Sequence, residues 1–145
     1  MDIQYIAGFF DGEGSIGIDA RKAKHEGGAN SYILKVKIAQ CVTEESIALL
    51  DEIQQEFGGS ISKKDNSRKN ARWRPAIEWT ATTRKALVFL EAVAPYARLK
   101  APEIAVALEF QRRRLPKGKR GDGKIVERDL ADKARLSELK RVRIS

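Results

Sequence analysis

Between Ser31 and Gln40 the chain alternates, with Tyr32, Leu34, Val36 and Ile38 on one side and Lys35 and Lys37 on the other. Successive side chains of a strand point to opposite faces, so this segment needs a sheet with one buried face and one polar, cationic face. A second alternating run, Ser15 to Lys24, sets Ile16, Ile18 and Ala20 against Gly17, Asp19 and Arg21. The polar cluster from His25 to Asn30 separates the two runs, which predicts an antiparallel pair with a long connection.

The same order then repeats. Residues 2 to 12 read as a helix with Asp2 as N-cap and Ile3, Ala7 and Phe10 on one stripe. Thr43 caps a second helix, with Glu44 and Glu45 favourably placed in its first turn and with Ile47, Leu50 and Phe57 on its apolar stripe. Gly58 and Gly59 end it. Strands follow at Ser60 to Lys64 and Arg72 to Thr82, joined by a polar loop. In the second of these strands Trp73, Ile77, Trp79 and Ala81 oppose Arg72, Arg74, Glu78 and Thr80. Pro75 cannot donate to a ladder and so predicts an edge strand or a bulge. A third helix starts at Thr82 or Thr83 and ends at Pro95, and Pro102 opens a fourth containing Ile104 and Leu108.

The fold class is therefore α+β, with a helix-strand-strand-helix-strand-strand-helix core. Its four-stranded antiparallel sheet has helices on one face and leaves the other face uncovered and polar. Residues 1–111 form this core domain. Residues 112–145 form a basic C-terminal extension, a linker plus a helix of about residues 126–142 with a thin stripe of Leu130, Ala134, Leu136 or Ser137, and Leu139.

Charge sharpens the division. The formal net charge of the 145 residues is +8. Residues 1–111 carry 15 basic and 15 acidic side chains, and residues 112–145 carry 13 and 5. Within the neutral part, Lys35, Lys37, Arg72 and Arg74 fall on the exposed sheet face, where a polyanion would meet them. The lone Cys41 permits no internal disulfide, and no Cys/His cluster offers a zinc site. No apolar run is long enough to span a bilayer, and the N-terminus carries an acid where a signal peptide carries bases. The expectation is an intracellular protein with no membrane partner.

Gly12-Glu13-Gly14-Ser15-Ile16-Gly17 matches the dinucleotide fingerprint G-x-G-x-x-G, but a helix precedes these glycines and a strand follows. The fingerprint needs the reverse order, a strand feeding a helix N-terminus. A helix C-terminus with an acidic side chain beside its carbonyls suits a cation instead. No small-molecule organic cofactor is expected. Gly8 and Gly12 lie one turn apart, which lets a partner helix approach closely, and Gly8 in mid-helix costs about 1 kcal/mol relative to alanine.

Ile6-Ala7-Gly8-Phe9-Phe10-Asp11-Gly12-Glu13-Gly14 resembles the LAGLIDADG motif of homing endonucleases, with Phe9 and Phe10 as larger apolar variants and Glu13 as the alternative final acid. The element order also agrees with that family's fold over roughly residues 1–111. With one motif, the resemblance implies a homodimer through the motif helix, with Ala7, Gly8, Asp11 and Gly12 at the interface and both Glu13 carboxylates near the twofold axis. Asp11 additionally reads as structural or as a C-terminal polar contact. Mg2+ is the implied cofactor, held by Glu13 and the Gly12 carbonyl; Mn2+ or Ca2+ can occupy the same site. Lys100 and Gln40 resemble the family's active-site lysine and glutamine. No arginine stands in the turn from Thr43 to Ser46, where some relatives have one.

The implied activity is cleavage of double-stranded DNA at a long pseudo-palindromic site of about 20 base pairs, since a strand of about eight residues spans about 26 Å. Candidate DNA contacts are Arg21, Lys24, Asn30, Lys35, Lys37, Lys64, Asn66, Arg68, Asn70, Arg72, Arg74 and Glu78. Two alternatives stand beside this reading. One is an RNA-splicing maturase or a non-cleaving DNA-binding protein of the same fold, and the other is a small interaction domain with incidental basic charge.

Overall fold

A computed structural model describes residues 1–21, 31–64, 75–113 and 123–144. The elements run α1 (Ile3–Glu13), β1 (Gly14–Arg21), β2 (Ser31–Cys41), α2 (Glu44–Phe57), β3 (Ser60–Lys64), β4 (Ala76–Thr82), α3 (Thr83–Val93), α4 (Ala101–Arg112) and α5 (Gly123–Ile144). The four strands form one antiparallel sheet in the order β1-β2-β4-β3. This is the α+β architecture that the alternation requires.

Local chemistry sets the boundaries. The Asp2 carboxylate accepts from the backbone N–H groups of Gln4 and Tyr5, at 3.0 and 3.3 Å, which starts α1. Its stop is steric: a Cβ on Gly14 would lie 2.1 Å from Cδ1 of Phe10, so only glycine fits as the chain turns from helix into β1. Thr43 and Ser46 cap α2 reciprocally, each side chain accepting from the other's N–H, at 3.0 and 2.9 Å.

The inward face of the sheet carries Ile16, Ile18, Leu34, Val36, Ile38, Ile77 and Trp79, all buried. Phe89 of α3 is the hub of the core above it. Its ring lies 5.1 Å from Phe10, 5.1 Å from Phe57 and 4.9 Å from Trp79, edge-on to the first two. The Trp79 indole N–H donates to the Gly58 carbonyl at 2.8 Å, which seats the end of α2 on the sheet. Gly59 has φ of 93°, and a Cβ there would come within 2.5 Å of the Thr80 carbonyl oxygen. Gly59→Ala is therefore expected to cost about 2–4 kcal/mol in urea unfolding, from left-handed strain plus overpacking.

Several expectations change. Pro75 sits immediately before β4, which is an interior strand between β2 and β3, so it marks neither an edge nor a bulge within the ladder. Ala20 is exposed, because burial along β1 stops at Ile18. On α5, Leu130 is 54% exposed whereas Leu136 is buried in the common core and Leu139 packs against it.

The C-terminal extension is consequently tied to the core. Arg113, at the end of α4, pairs with Asp129 at 3.6 Å and with Asp132 of α5, and the Lys140 ammonium donates to the carbonyl of Ile16 on the terminal strand β1. A polar helix with a thin apolar stripe is held by these charged contacts around one deep leucine. Periodicity alone could not locate them.

Candidate functional site

The last turn of α1 is where the chain brings its chemistry together. Each residue of an α-helix turns the chain by about 100°, so Asp11 and Glu13, two apart, leave α1 on nearly opposite sides. Asp11 turns inward and is buried, while Glu13 is exposed at the helix end.

Gln40 meets Glu13. Its side-chain N–H donates to Glu13 Oε2 at 3.2 Å. The sheet register explains the encounter: Gly14 pairs with Ile38, so Gln40 lies two residues beyond the start of β1, beside the residue that ends α1. Its parity with Leu34, Val36 and Ile38 places it toward the helices, and there the end of α1 supplies a polar partner. The amide holds one carboxylate oxygen in place.

Lys100 approaches the same turn from the other side. Residues 98–100 form the entry to α4, and their backbone N–H groups converge on the Asp11 carboxylate. Arg98 and Leu99 donate to Oδ2 at 2.7 and 3.0 Å, and Lys100 donates to Oδ1 at 3.0 Å. The Lys100 ammonium then donates to the Asp11 backbone carbonyl at 2.7 Å and lies 5.9 Å from the centroid of the Phe10 ring. A cation at the C-terminal carbonyls of a helix is favourably placed against the helix dipole. Burial pushes the Asp11 carboxyl up, but the three backbone donors and the charge of Lys100 outweigh it and hold the group below its ordinary value.

The four residues expected at a partner-facing surface divide. Gly8 and Gly12 are exposed, and a Cβ on either meets nothing within 4 Å. Ala7 is fully buried and Asp11 nearly so, both facing their own core, which corrects their placement on the interface. The outward stripe is instead Tyr5, Gly8, Phe9 and Gly12, with the Tyr5 and Phe9 rings stacked at 6.4 Å and Tyr5 59% exposed. Both aromatics were legible from the spacing i, i+3, i+4, i+7, which puts them with the two glycines.

On the outward sheet face, Lys35 lies 3.9 Å from Asp19 and Lys37 lies 4.0 Å from Glu78. Arg21 and Lys64 are exposed at strand ends. Lys24, Asn30, Asn66, Arg68, Asn70, Arg72 and Arg74 lie outside the described residues. Among the described residues, no group of three or more His, Cys, Asp or Glu could hold a metal within one chain. The available donors are one exposed carboxylate and the carbonyl end of a helix. That hard-oxygen set fits Mg2+, which is commonly bound through one or two carboxylates and completed by waters and substrate phosphates. No helix among the described residues is long and apolar enough to cross a membrane.

The family model for the LAGLIDADG endonucleases matches residues 6–88, more than half of the chain. The chain belongs to the LAGLIDADG endonuclease family. The matched range contains the LAGLIDADG helix end with Glu13, and Gln40, and stops before Lys100. Solved structures with the same fold include the homing endonuclease I-CvuI in complex with the I-CreI target, 20% identical, with a TM-score of 0.75 over 94% of this chain and 80% of that one. The archaeal intron-encoded homing endonuclease I-Vdi141I complexed with DNA is 18% identical, with a TM-score of 0.71 over 94% of this chain and 82% of that one. The LAGLIDADG homing endonuclease I-GzeII in complex with its DNA target is 16% identical, with a TM-score of 0.68 over 92% of this chain but only 44% of that one. No curated protein sequence matches the chain. At these identities the likeness to the LAGLIDADG structures is one of fold.

Proposed function

We propose that this LAGLIDADG protein is a site-specific endonuclease that hydrolyses double-stranded DNA as a homodimer with a divalent metal, Mg2+ by the chemistry of its donors. The observation that carries the reading is the Glu13–Gln40 contact at the exposed end of a helix whose outward stripe is open at Gly8 and Gly12. Such a chain presents half of a site. The DNA complexes of I-CvuI and I-Vdi141I support a DNA substrate, and the coverage of less than half of I-GzeII supports two copies.

Each residue then has a role. Glu13, oriented by Gln40, is the carboxylate ligand, and the Gly12 carbonyl is the second donor. When bound, such an ion lowers the pKa of water and neutralises charge on the phosphate. Lys100 is buried with its ammonium on the Asp11 carbonyl, and from that fixed position its charge contributes positive potential at the end of α1 where negative charge develops on the phosphoryl oxygens. Water attacks phosphorus and the bridging oxygen leaves, with no covalent enzyme intermediate. The polar sheet face lies in the major groove.

Mixing the protein and Mg2+ with a plasmid carrying the joined sequences that flank its coding gene is the direct test. Linearisation that requires the metal is expected; an intact plasmid, with binding retained, would favour the non-cleaving alternative. The dimer has its own test. Gly8→Leu leaves the monomer folded, since the site is open and leucine is the better helix former by close to 1 kcal/mol. The expected result by light scattering is a folded monomer without cleavage activity, and a persisting dimer would refute pairing through this helix.

A further inference from the structure

The two ion pairs on the outward sheet face share one geometry. Lys35 stands opposite Gly17 and reaches diagonally to Asp19 on β1, while Lys37 stands opposite Thr80 and reaches diagonally to Glu78 on β4. At 3.9 and 4.0 Å the charged atoms are neighbours but too far apart for a hydrogen bond, so neither pair is locked together, and the side chains of Lys35, Asp19 and Glu78 are 36%, 55% and 16% exposed. Lys37 remains 44% exposed, and Glu78 is steadied by the Thr80 hydroxyl, which donates to it at 3.4 Å. Naked lysines would suit phosphate. Lysines each yoked to a carboxylate do not, because the acid repels the backbone of DNA.

A donor beside an acceptor does match the major-groove edge of one base pair. Guanine offers O6 and N7 as acceptors, and the cytosine N4 amino group beside it is a donor; lysine selects the first and a carboxylate the second. An A·T pair sets its one donor, adenine N6, between the N7 and O4 acceptors, so a carboxylate placed on it also meets thymine O4, whereas G·C gathers two acceptors at one side and the donor at the other. We propose that the Lys37–Glu78 and Lys35–Asp19 pairs each read one G·C base pair, lysine on guanine and carboxylate on cytosine. Lys35 and Lys37 are two residues apart, about 6.8 Å along a strand, which equals two base-pair steps of about 3.4 Å. The two G·C pairs are therefore separated by one base pair in each half-site. Because the acids flank β2 on opposite sides, the two guanines lie on opposite DNA strands.

This assignment rests on the sheet face entering the major groove, and binding alone tests it, independently of cleavage. The full chain, without divalent metal, is used to select from a duplex library of random sequence. Enriched half-sites are expected to contain two G·C pairs one position apart with guanines on opposite strands. Glu78→Gln should relax discrimination at one of them by about ten- to a hundred-fold and leave the other unchanged. The double exchange Lys37→Glu with Glu78→Lys keeps the ion pair and should reverse that position from G·C to C·G. An enriched site lacking this spacing, or an exchange that leaves the preference unchanged, overturns the assignment while site-specific binding stands. Failure to enrich any sequence overturns the site-specific reading, and the assignment with it.

Discussion

Glu13→Gln is expected to abolish cleavage of the target while leaving duplex binding intact. The substitution keeps the size of the side chain and its place at the end of α1 but removes the charge that a divalent cation requires. Loss of a residue that only orients a metal ligand typically costs 10–100-fold; loss of the ligand itself is expected to cost at least about 1,000-fold. Gln40→Ala is its internal control. Gln40 touches Glu13 through one hydrogen bond at 3.2 Å and so belongs to the orienting class, with a smaller loss of rate. Quantifying nicked and linear DNA over a metal titration separates the two, because a positioning defect is partly recovered at high Mg2+ and a missing ligand is not. Equal rates for Glu13→Gln and the parent would remove Glu13 from the site.

Asp11→Ala is expected to destabilise the fold by about 3–5 kcal/mol, since it strands three converging backbone donors and removes the negative charge that faces a buried lysine. Asp11→Asn keeps an acceptor and separates charge from shape. The pH dependence has a definite sign. The folded carboxyl titrates below its ordinary value of 3.8, so its contribution is fully present above that value and is lost as pH falls through the folded pKa. Denaturation of the parent below about pH 4 should therefore be steeper than that of Asp11→Asn, whose profile lacks this component. Identical acid limbs would show that the charge of Asp11 contributes nothing to holding the 98–100 turn. Because that turn also places Lys100, Asp11→Asn should lower the cleavage rate at neutral pH even where the protein remains folded.

The motif residues were legible for different reasons. Glu13 stood out because it ends a helix between two glycines, whereas Gln40 came from the family resemblance alone, its strand parity setting it apart from the lysine face. Asp11 could be seen to diverge from Glu13, but its partners are 87 to 89 residues away, and no local spacing announces three backbone N–H groups arriving from the start of α4. Reading Ala7 with Gly8 as one small-residue surface failed for a related reason. A methyl and a glycine look alike in a pattern of small residues, and only the packed core distinguishes the inward one.

Periodicity of two and of 3.6, capping residues and glycine stops determined the sequence of elements, the inward face of each strand and the end of the motif helix, because each depends on residues within a turn or two of one another. The tertiary structure alone decided how charges are shared. It turned a cationic sheet face into two diagonal acid–base pairs, joined the 98–100 turn to Asp11, and drew α5 onto the core through Leu136 and Arg113. Those outcomes depend on strand register and on contacts between distant segments, where a shift of one residue would reverse every partner.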